Sequence, residues 1–273
     1  MSEIPAAMLE KRRRLSYRHL IGDGLEVGAL HHPMEISDRA RVRYVDRMDV
    51  DGLRSHYPEL RNYNLVPVDV VDDGERLGTL PDSSLDFVVA NHFLEHTENP
   101  LGTMRNHLKK LRPGGTLYLA VPNKDFSFDR DRDLTPFEHL VRDDVDGPEA
   151  TRFTHFQEWA RFVDRNEDPE AIERQARRLA EANYSIHFHV WDASTFADFI
   201  DRAKLHLRGA FEVRELTLND TEIIAVLERT SAPVAARRSW IPQQASRSLR
   251  SLALKVGRWK ARAQAVGRGS DGR

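Results

Sequence analysis

Short apolar runs alternate with segments of helical periodicity over roughly the first half of the chain. Residues 25–28, 42–45, 65–68, 85–90 and 116–121 form five such runs, and each predicts a strand. Strands that alternate with helices are typical of βαβ units, which build a parallel sheet with helices on both faces. The runs at 85–90 and 116–121 lack polar alternation, as central strands buried on both faces do. The pattern therefore predicts an α/β fold.

The alternation stops after the fifth predicted strand. Residues 123–188 are rich in charge and contain helical patterns near 136–142, 149–164 and 169–183. An insertion at this point would lie at the carboxyl ends of the strands, where open α/β sheets bind ligands. We therefore expect a helical cap on the substrate side. Phe153, Phe156 and Trp159 share helical spacing and predict a buried core for this cap.

The helix and strand pattern resumes after the cap. Asp192 is a candidate N-cap for a helix through Phe196 and Phe199. Residues 211–218 and 221–227 then predict two strands joined by a tight turn, which suits an antiparallel hairpin that closes the sheet. The expected organisation is a helical extension at 1–21, a main domain at 22–230 and a tail at 231–273.

Acidic residues and a glycine follow the first two predicted strands. Glu26 and Gly28 end the first strand, and a glycine there lets the backbone approach a ligand closely. Asp46 ends the second strand, twenty residues beyond Glu26, where an acid can accept hydrogen bonds from both ribose hydroxyls. The same spacing would suit a nicotinamide dinucleotide, so Asp46 alone does not choose between cofactors.

Three later motifs occur in a characteristic order. Val-Pro-Val-Asp-Val-Val-Asp begins at residue 66, Pro-Asp-Ser-Ser-Leu-Asp-Phe-Val-Val-Ala-Asn at residue 81, and Leu-Arg-Pro-Gly-Gly at residue 111. With the first motif they resemble a class I S-adenosylmethionine-dependent methyltransferase of the type 11 domain family. The resemblance implies a Rossmann-like, mostly parallel seven-stranded sheet with an antiparallel last strand. It also implies S-adenosylmethionine as the cofactor.

The resemblance assigns roles to individual residues. Glu26 and Gly28 would hold the amino-acid end of the cofactor and Asp46 its ribose. The adenine would meet Asp69 and its neighbour Val70, because the family carries an acid after the third strand. The cleft would be lined at the end of the fourth strand by Asn91 and His92. The chain departs from the family in the first loop, where Leu30 and His32 stand in place of further glycines.

Histidines are the natural general bases near neutral pH. His187 begins a segment that resembles the one entering the family's last helix, and His139 lies in the cap, so both are candidate catalytic bases. His187 and His189 alternate on an extended segment and should point opposite ways, which argues against a shared metal. His92 to His96 spells a zinc-peptidase motif, but it directly follows an apolar strand. No metal site is predicted.

Composition narrows the chemistry and the location. The 273 residues are 40% apolar and include no cysteine, which excludes disulfides, thiolate zinc ligands and a cysteine nucleophile. No run of eighteen apolar residues occurs, and the first twenty residues are polar, so we expect a cytoplasmic protein.

The tail differs in charge from the rest of the chain. It carries ten Lys or Arg and one acid, whereas residues 1–230 carry 31 basic and 42 acidic residues. Leu249, Leu252, Val256 and Trp259 recur at helical spacing among the basic residues, which favours peripheral contact with an anionic inner membrane surface. Nucleic acid is a weaker alternative, and a tail that is disordered or packed on the acidic body remains open.

These observations favour a methyltransferase that acts at oxygen or nitrogen of a small-molecule or lipid- or glycan-linked acceptor. A second hypothesis is a non-catalytic adaptor of the same fold, associated with glycan-synthesis enzymes or the membrane surface, and it follows from the atypical first loop. A nicotinamide oxidoreductase ranks third, because the chain has no complete Gly-x-Gly-x-x-Gly. Cofactor binding separates the three.

Overall fold

The computed structural model describes residues 4–235, and seven strands form one sheet in the order β3-β2-β1-β4-β5-β7-β6. The strands are β1 Gly22–Val27, β2 Ala40–Asp46, β3 Val70–Val71, β4 Leu85–Asn91, β5 Leu111–Pro122, β6 Phe211–Asn219 and β7 Glu222–Arg229. β1 to β5 are parallel, and β7 runs antiparallel to β5 and β6. The α/β, Rossmann-like fold with an antiparallel last strand is confirmed.

Both faces of the central strands are buried. The helices are α1 Ala6–His19, α2 Val50–His56, α3 Pro100–Lys110, α4 Phe137–Asp146, α5 Glu149–Phe162, α6 Pro169–Glu181 and α7 Ala193–His206. Val88 and Leu117 face a core built with α3, α4 and α7, whereas Phe87 and Tyr118 face a second core that includes Leu15 of α1. The two-sided burial explains why these strands show no polar alternation.

The first crossover lacks the helix that a βαβ unit normally carries. Residues 28–39, between β1 and β2, contain turns but no helix. Met34 from this stretch packs in the second core beside Leu15 and Leu20. The sheet face that a crossover helix would cover is therefore covered by α1 from outside the unit.

The prediction of a strand at residues 65–68 was wrong, and the third strand is Val70–Val71. Leu65 packs instead with Leu53 and Leu60 in a small separate core. Pro67 has no backbone N–H to donate to a sheet. The apolar run therefore fills a hydrophobic cluster just before the sheet begins.

The segment after β5 contains the predicted helices. Phe156 is fully buried between α5 and α6, with Phe153 and Trp159 partly buried beside it, so the predicted aromatic core of the insertion is confirmed. Asp192 caps α7 by accepting hydrogen bonds from the backbone N–H groups of Ser194 and Thr195. α7 then leads into β6, and Asp220 turns the chain into β7 with φ 57°.

The prediction for the basic tail falls largely on residues 236–273, outside the described part of the chain. Among the described residues, no helix combines the length and apolar character needed to cross a membrane.

Candidate functional site

The carboxyl end of β1 leaves room for a ligand at Gly28. Its φ is +65°, its N–H donates to the backbone oxygen of Val45 at 3.0 Å, and a Cβ placed on it would meet only Phe93, at 3.6 Å. Leu30 has φ 50° in the same loop, so the loop adopts a left-handed conformation without a glycine at that position. Leu30 therefore holds a strained conformation that a glycine would adopt without a steric cost.

Glu26 is the acid that precedes this loop. It is 1% exposed, and its two carboxylate oxygens accept hydrogen bonds from the Met34 N–H at 3.0 and 2.9 Å. Burial raises the pKa of Glu26 to about 7, although the Met34 hydrogen bond and the charge of Arg12 oppose the rise. The structure therefore gives Glu26 a place in holding the loop at residues 28–34.

Asp46 ends β2 beside this loop. Its Oδ1 accepts a hydrogen bond from the Arg47 N–H at 2.7 Å, and its Oδ2 bonds to none of the residues at 4–235. Burial raises the pKa of Asp46, against a smaller opposing effect of Arg47. One carboxylate oxygen is thus left for a ligand hydroxyl.

Asp69 and Asp72 stand on either side of the short strand β3. Asp69 precedes it, and its Oδ2 accepts a hydrogen bond from the Tyr44 N–H at 2.8 Å. Asp72 follows it, donates its N–H to the Asp46 backbone oxygen at 3.0 Å and is held by Thr79 at 2.7 and 2.8 Å. An acid after the third strand was the criterion for Asp69, and the observed strand gives that position to Asp72. Val70 lies within β3 and pairs with Val45.

Asn91 ends β4 at the same edge of the sheet. Its side-chain oxygen is buried and finds no hydrogen-bond partner among the described residues. A buried polar atom without a partner costs about 1–3 kcal/mol, so such an atom commonly marks a ligand or an ordered water. Asn91 therefore supports the predicted ligand site.

His92 is engaged by two carboxylates instead. Its Nε2 lies 2.7 Å from Glu222 and its Nδ1 lies 3.5 Å from Glu95. Partial burial lowers the pKa of His92, but the hydrogen bonds and charges of Glu222 and Glu95 outweigh it and raise the pKa to about 9. His92 is thus a cation at neutral pH, and both its ring nitrogens face protein groups.

Glu222 also binds the N-terminal helix. Arg12 of α1 donates from Nε to Glu222 at 2.9 Å and makes a second hydrogen bond through Nη2, and the two side chains are 7% and 0% exposed. Burial raises the pKa of Glu222, yet Arg12 and His92 together lower it to about 2. The cluster joins α1, the end of β4 and the start of β7.

His187 forms a hydrogen-bonded pair with an acid that sequence reasoning missed. Its Nδ1–H donates to Asp129 Oδ2 at 2.7 Å, and Arg132 donates to Asp129 Oδ1 at 2.8 Å and to the His187 backbone oxygen at 2.7 Å. Burial raises the pKa of Asp129, but the His187 hydrogen bond and the Arg132 charge lower it below its usual value. Asp129 therefore remains charged and fixes the orientation of the imidazole.

The His187 ring lies between aromatic groups near the turn that follows β4. Its centroid is 4.7 Å from Phe128, 5.9 Å from Trp159 and 4.6 Å from His96. The segment is tied to that turn because the Phe188 N–H donates to the Glu95 backbone oxygen at 2.8 Å. His187 thus lies in a partly apolar setting linked to β4.

His139, the other candidate base, lies in a different group of side chains. Its Nε2 is 3.0 Å from His155 Nε2 and 3.0 Å from Asp143 Oδ2, and its ring is 5.5 Å from His189. His187 and His189 belong to different groups, as their alternation predicted. The two candidate bases, His139 and His187, therefore lie in separate groups of side chains.

A family model described as "Methyltransferase domain" matches residues 6–208. A curated protein of Mycolicibacterium smegmatis, described as "Probable S-adenosylmethionine-dependent methyltransferase", is 33% identical over 95 residues, which cover 34% of this chain and 33% of that protein. The chain thus spans about a third of the length of this curated relative.

Solved structures of low sequence identity cover most of the chain. An S-adenosylmethionine-dependent methyltransferase from Aquifex aeolicus has 12% identity and a TM-score of 0.42, covering 81% of this chain and 89% of its own. A methyltransferase from Methanosarcina mazei has 15% identity and a TM-score of 0.39, covering 76% and 92%. A Rhodobacter sphaeroides protein provisionally described as a zinc-dependent alcohol dehydrogenase has 14% identity and a TM-score of 0.46, covering 81% and 88%.

Proposed function

The chain belongs to the class I S-adenosylmethionine-dependent methyltransferases, and from this premise we propose that it methylates an oxygen or nitrogen atom of a small-molecule or lipid- or glycan-linked acceptor. The cofactor is S-adenosylmethionine. The observation that carries the proposal is the His187–Asp129 pair at 2.7 Å, which supplies an oriented base beside the carboxyl edge of the sheet.

The residues at this edge fit the cofactor. Gly28 has space where a side chain would stand, Asp46 offers a free carboxylate oxygen to a ribose hydroxyl, and the buried Asn91 oxygen has no partner among the described residues. Asp72 follows β3, the position where the resemblance implies an acid near the adenine. Glu26 supports the loop from beneath rather than offering a free oxygen.

The chain's own residues would remove the acceptor's proton. S-adenosylmethionine supplies, when bound, a methyl group already activated by its sulfonium, so the protein needs no covalent catalysis. With Nδ1–H held by Asp129, His187 presents Nε2 as the basic nitrogen, and an acceptor hydroxyl or ammonium would give its proton to that atom. Asp129 then stabilises the imidazolium, as an oriented carboxylate does in other catalytic pairs.

Exposed aromatic side chains favour an acceptor with an apolar face. Phe126 and Phe128 are 50% and 53% exposed, and Phe128 lies against the His187 ring. Large aromatic groups rarely remain exposed in a cluster unless they meet a ligand or a partner. A sugar ring or a lipid-linked group would bury this surface and place its hydroxyl or amine near His187.

The cofactor assignment is tested by calorimetric titration of the purified protein with S-adenosylmethionine and with S-adenosylhomocysteine, with a nicotinamide dinucleotide as the control ligand. Binding of S-adenosylmethionine and S-adenosylhomocysteine, without binding of the dinucleotide, supports the assignment of S-adenosylmethionine as the cofactor. The acceptor is then sought by radiolabelled methyl transfer to nucleotide sugars, glycolipid extracts and small amines, comparing wild-type protein with His187→Gln. Methylation that is equal in the two proteins would overturn the role of His187.

One observation favours the non-catalytic adaptor as a second candidate. The loop after β1 has a leucine at φ 50° and no following helix, so it lacks the backbone N–H groups of a helix start for anion binding. The same titration distinguishes the two candidates, because an adaptor without the cofactor would give no heat with either sulfur compound.

A further inference from the structure

Four potential metal ligands converge where the insertion meets the segment before α7. His139 and Asp143 lie one turn apart on α4, His155 lies on α5, and His189 lies on the extended segment before α7. One ligand atom from each side chain lies within 4.8 Å of all the others. Three separate segments of the chain therefore present donors to one point.

Two of these side chains are fully buried and incompletely bonded. Asp143 and His189 are 0% and 1% exposed. Asp143 Oδ2 and His189 Nδ1 are buried atoms that find no hydrogen-bond partner among the described residues. His139 Nε2 lies 3.0 Å from both His155 Nε2 and Asp143 Oδ2, but one nitrogen can donate only one hydrogen to these two atoms. A cation between these atoms would satisfy all of them.

The far side of three of the four groups is already held by a partner. Thr151 donates to Asp143 Oδ1 at 2.8 Å, Glu158 lies 3.9 Å from His155 Nδ1, and the Glu98 backbone oxygen lies 3.4 Å from His189 Nε2. The atoms left on the side of the cluster are Asp143 Oδ2, His155 Nε2 and His189 Nδ1. Outer partners of this kind orient metal ligands in known sites.

We propose that His139, Asp143, His155 and His189 bind a divalent transition metal, with Zn²⁺ as the best fit. Zn²⁺ prefers four nitrogen or oxygen ligands at about 2.0–2.2 Å in tetrahedral geometry, which separates neighbouring ligand atoms by roughly 3.3–3.6 Å. The observed 3.0 Å contacts and 4.8 Å limit bracket that spacing. Histidines bind a metal in the neutral form and aspartate in the charged form, so this ligand set would bring one negative charge, which a dication more than balances.

The four protein ligands make this a closed, structural site. A catalytic zinc keeps an open position for water or substrate, whereas all four positions here belong to buried or nearly buried side chains. The ion would join α4 and α5 to the segment that carries His187, two residues before the ligand His189. It would thereby fix the position of His187 without touching the reacting atoms.

Metal content of the full-length wild-type protein is the direct test. Protein produced without a histidine tag in zinc-supplemented medium, then dialysed against a weak chelator, is expected to hold about one zinc per chain by plasma mass spectrometry. Cobalt(II) added to the stripped protein is expected to give the intense visible absorption of a tetrahedral site. Zinc-supplemented wild-type protein that is folded by circular dichroism yet holds no zinc would overturn the proposal.

Two variants and one control locate the ion. His189→Gln is expected to lose the metal. Thr151→Val, which removes the hydroxyl that contacts Asp143 Oδ1 and the Pro148 backbone oxygen, is expected to bind zinc about 10–100-fold more weakly. His107→Gln is the control, because His107 is an equally buried histidine bonded to the Gly74 backbone oxygen outside the cluster, and it should retain full zinc content. Equal zinc in wild type and in folded His189→Gln would place the metal elsewhere and refute the assignment.

Discussion

Replacing Glu222 by glutamine should destabilise the protein strongly, because it leaves the buried guanidinium of Arg12 without a counter-charge. Arg12 is 6% exposed and Glu222 is fully buried, and His92 binds the same Glu222 oxygen, Oε2, as Arg12 Nη2. Removing one partner of a buried ion pair costs about 3–5 kcal/mol. Glutamine keeps one acceptor for Arg12, so we expect a loss near the lower limit, about 3 kcal/mol.

The assay is chemical and thermal unfolding followed by circular dichroism. A domain of this size loses about 2–4 °C in Tm for each kcal/mol, so Glu222→Gln should lower the Tm by about 6–12 °C. Glu228→Gln is the matched control, since Glu228 pairs with Arg214 on the surface with side chains 36% and 49% exposed. An exposed pair contributes about 0–1 kcal/mol, so the control should change the Tm by no more than a few degrees.

The pH dependence gives the same prediction a second readout. The folded pKa of Glu222 is about 2 against an ordinary 4.5, so its contribution is complete above pH 4.5 and is lost as the pH falls through 2. The folded pKa of His92 is about 9 against an ordinary 6.5, so its contribution is complete below pH 6.5 and is lost as the pH rises through 9. The stability difference between wild type and Glu222→Gln should therefore peak between pH 4.5 and 6.5.

Two results would refute this reasoning about the ion cluster. One is a Glu222→Gln protein that is no less stable than the Glu228→Gln control. The other is a stability difference that stays constant from pH 6.5 to pH 9. Adding Arg12→Met to Glu222→Gln should recover part of the loss, because no buried cation then remains in α1.

Three further outcomes are expected. Gly28→Arg and Asp46→Ala should each abolish or greatly weaken S-adenosylmethionine binding in calorimetry while circular dichroism stays unchanged, and unaltered affinity in both would remove these residues from the cofactor site. His187→Gln should keep its affinity for the cofactor. With a known acceptor, it should transfer methyl groups about 10²–10⁴-fold more slowly, because it lacks the general base. An equal rate in wild type and variant would disprove this role. Phe156→Ala should lower the free energy of unfolding in urea by about 3–5 kcal/mol, because the ring is fully buried between α5 and α6. Phe126→Ala, at an exposed position, is the control, and a smaller loss of stability in Phe156→Ala than in this control would contradict the packing.

The elements that sequence predicted well are those whose signal is local. The apolar runs of β4 and β5 and the N-cap at Asp192 depend on neighbouring residues and on burial of both sheet faces. The third strand was displaced because the run at residues 65–68 is as apolar as a strand yet packs with Leu53 and Leu60. Hydrophobicity alone does not say which core an apolar run will join.

Some residues of the candidate site were predictable from local sequence signals, and others were not. Gly28, Asp46 and Asn91 end strands, and strand ends meet at one edge of a parallel sheet, so their convergence follows from the pattern. Asp129 lies 58 residues before its partner His187. The second cluster brings Asp143 of α4 and His155 of α5 to His189, which lies on the extended segment before α7. Such contacts depend on how the insertion folds back, for which one sequence carries no local signal.

The docking of α1 has a consequence for the order in which the molecule assembles. Glu222, the partner of Arg12, is made 210 residues after it, and Asn219, which donates to the Met8 backbone oxygen, is made 211 residues after Met8. At a translation rate of about 5–20 residues per second, the helix waits roughly 10–40 s for its binding partners. Contacts of such long range also slow the closing step of folding. The first helix can therefore complete its docking only after the final hairpin has been made, because Leu15 packs with Ile224 and Val226 of β7.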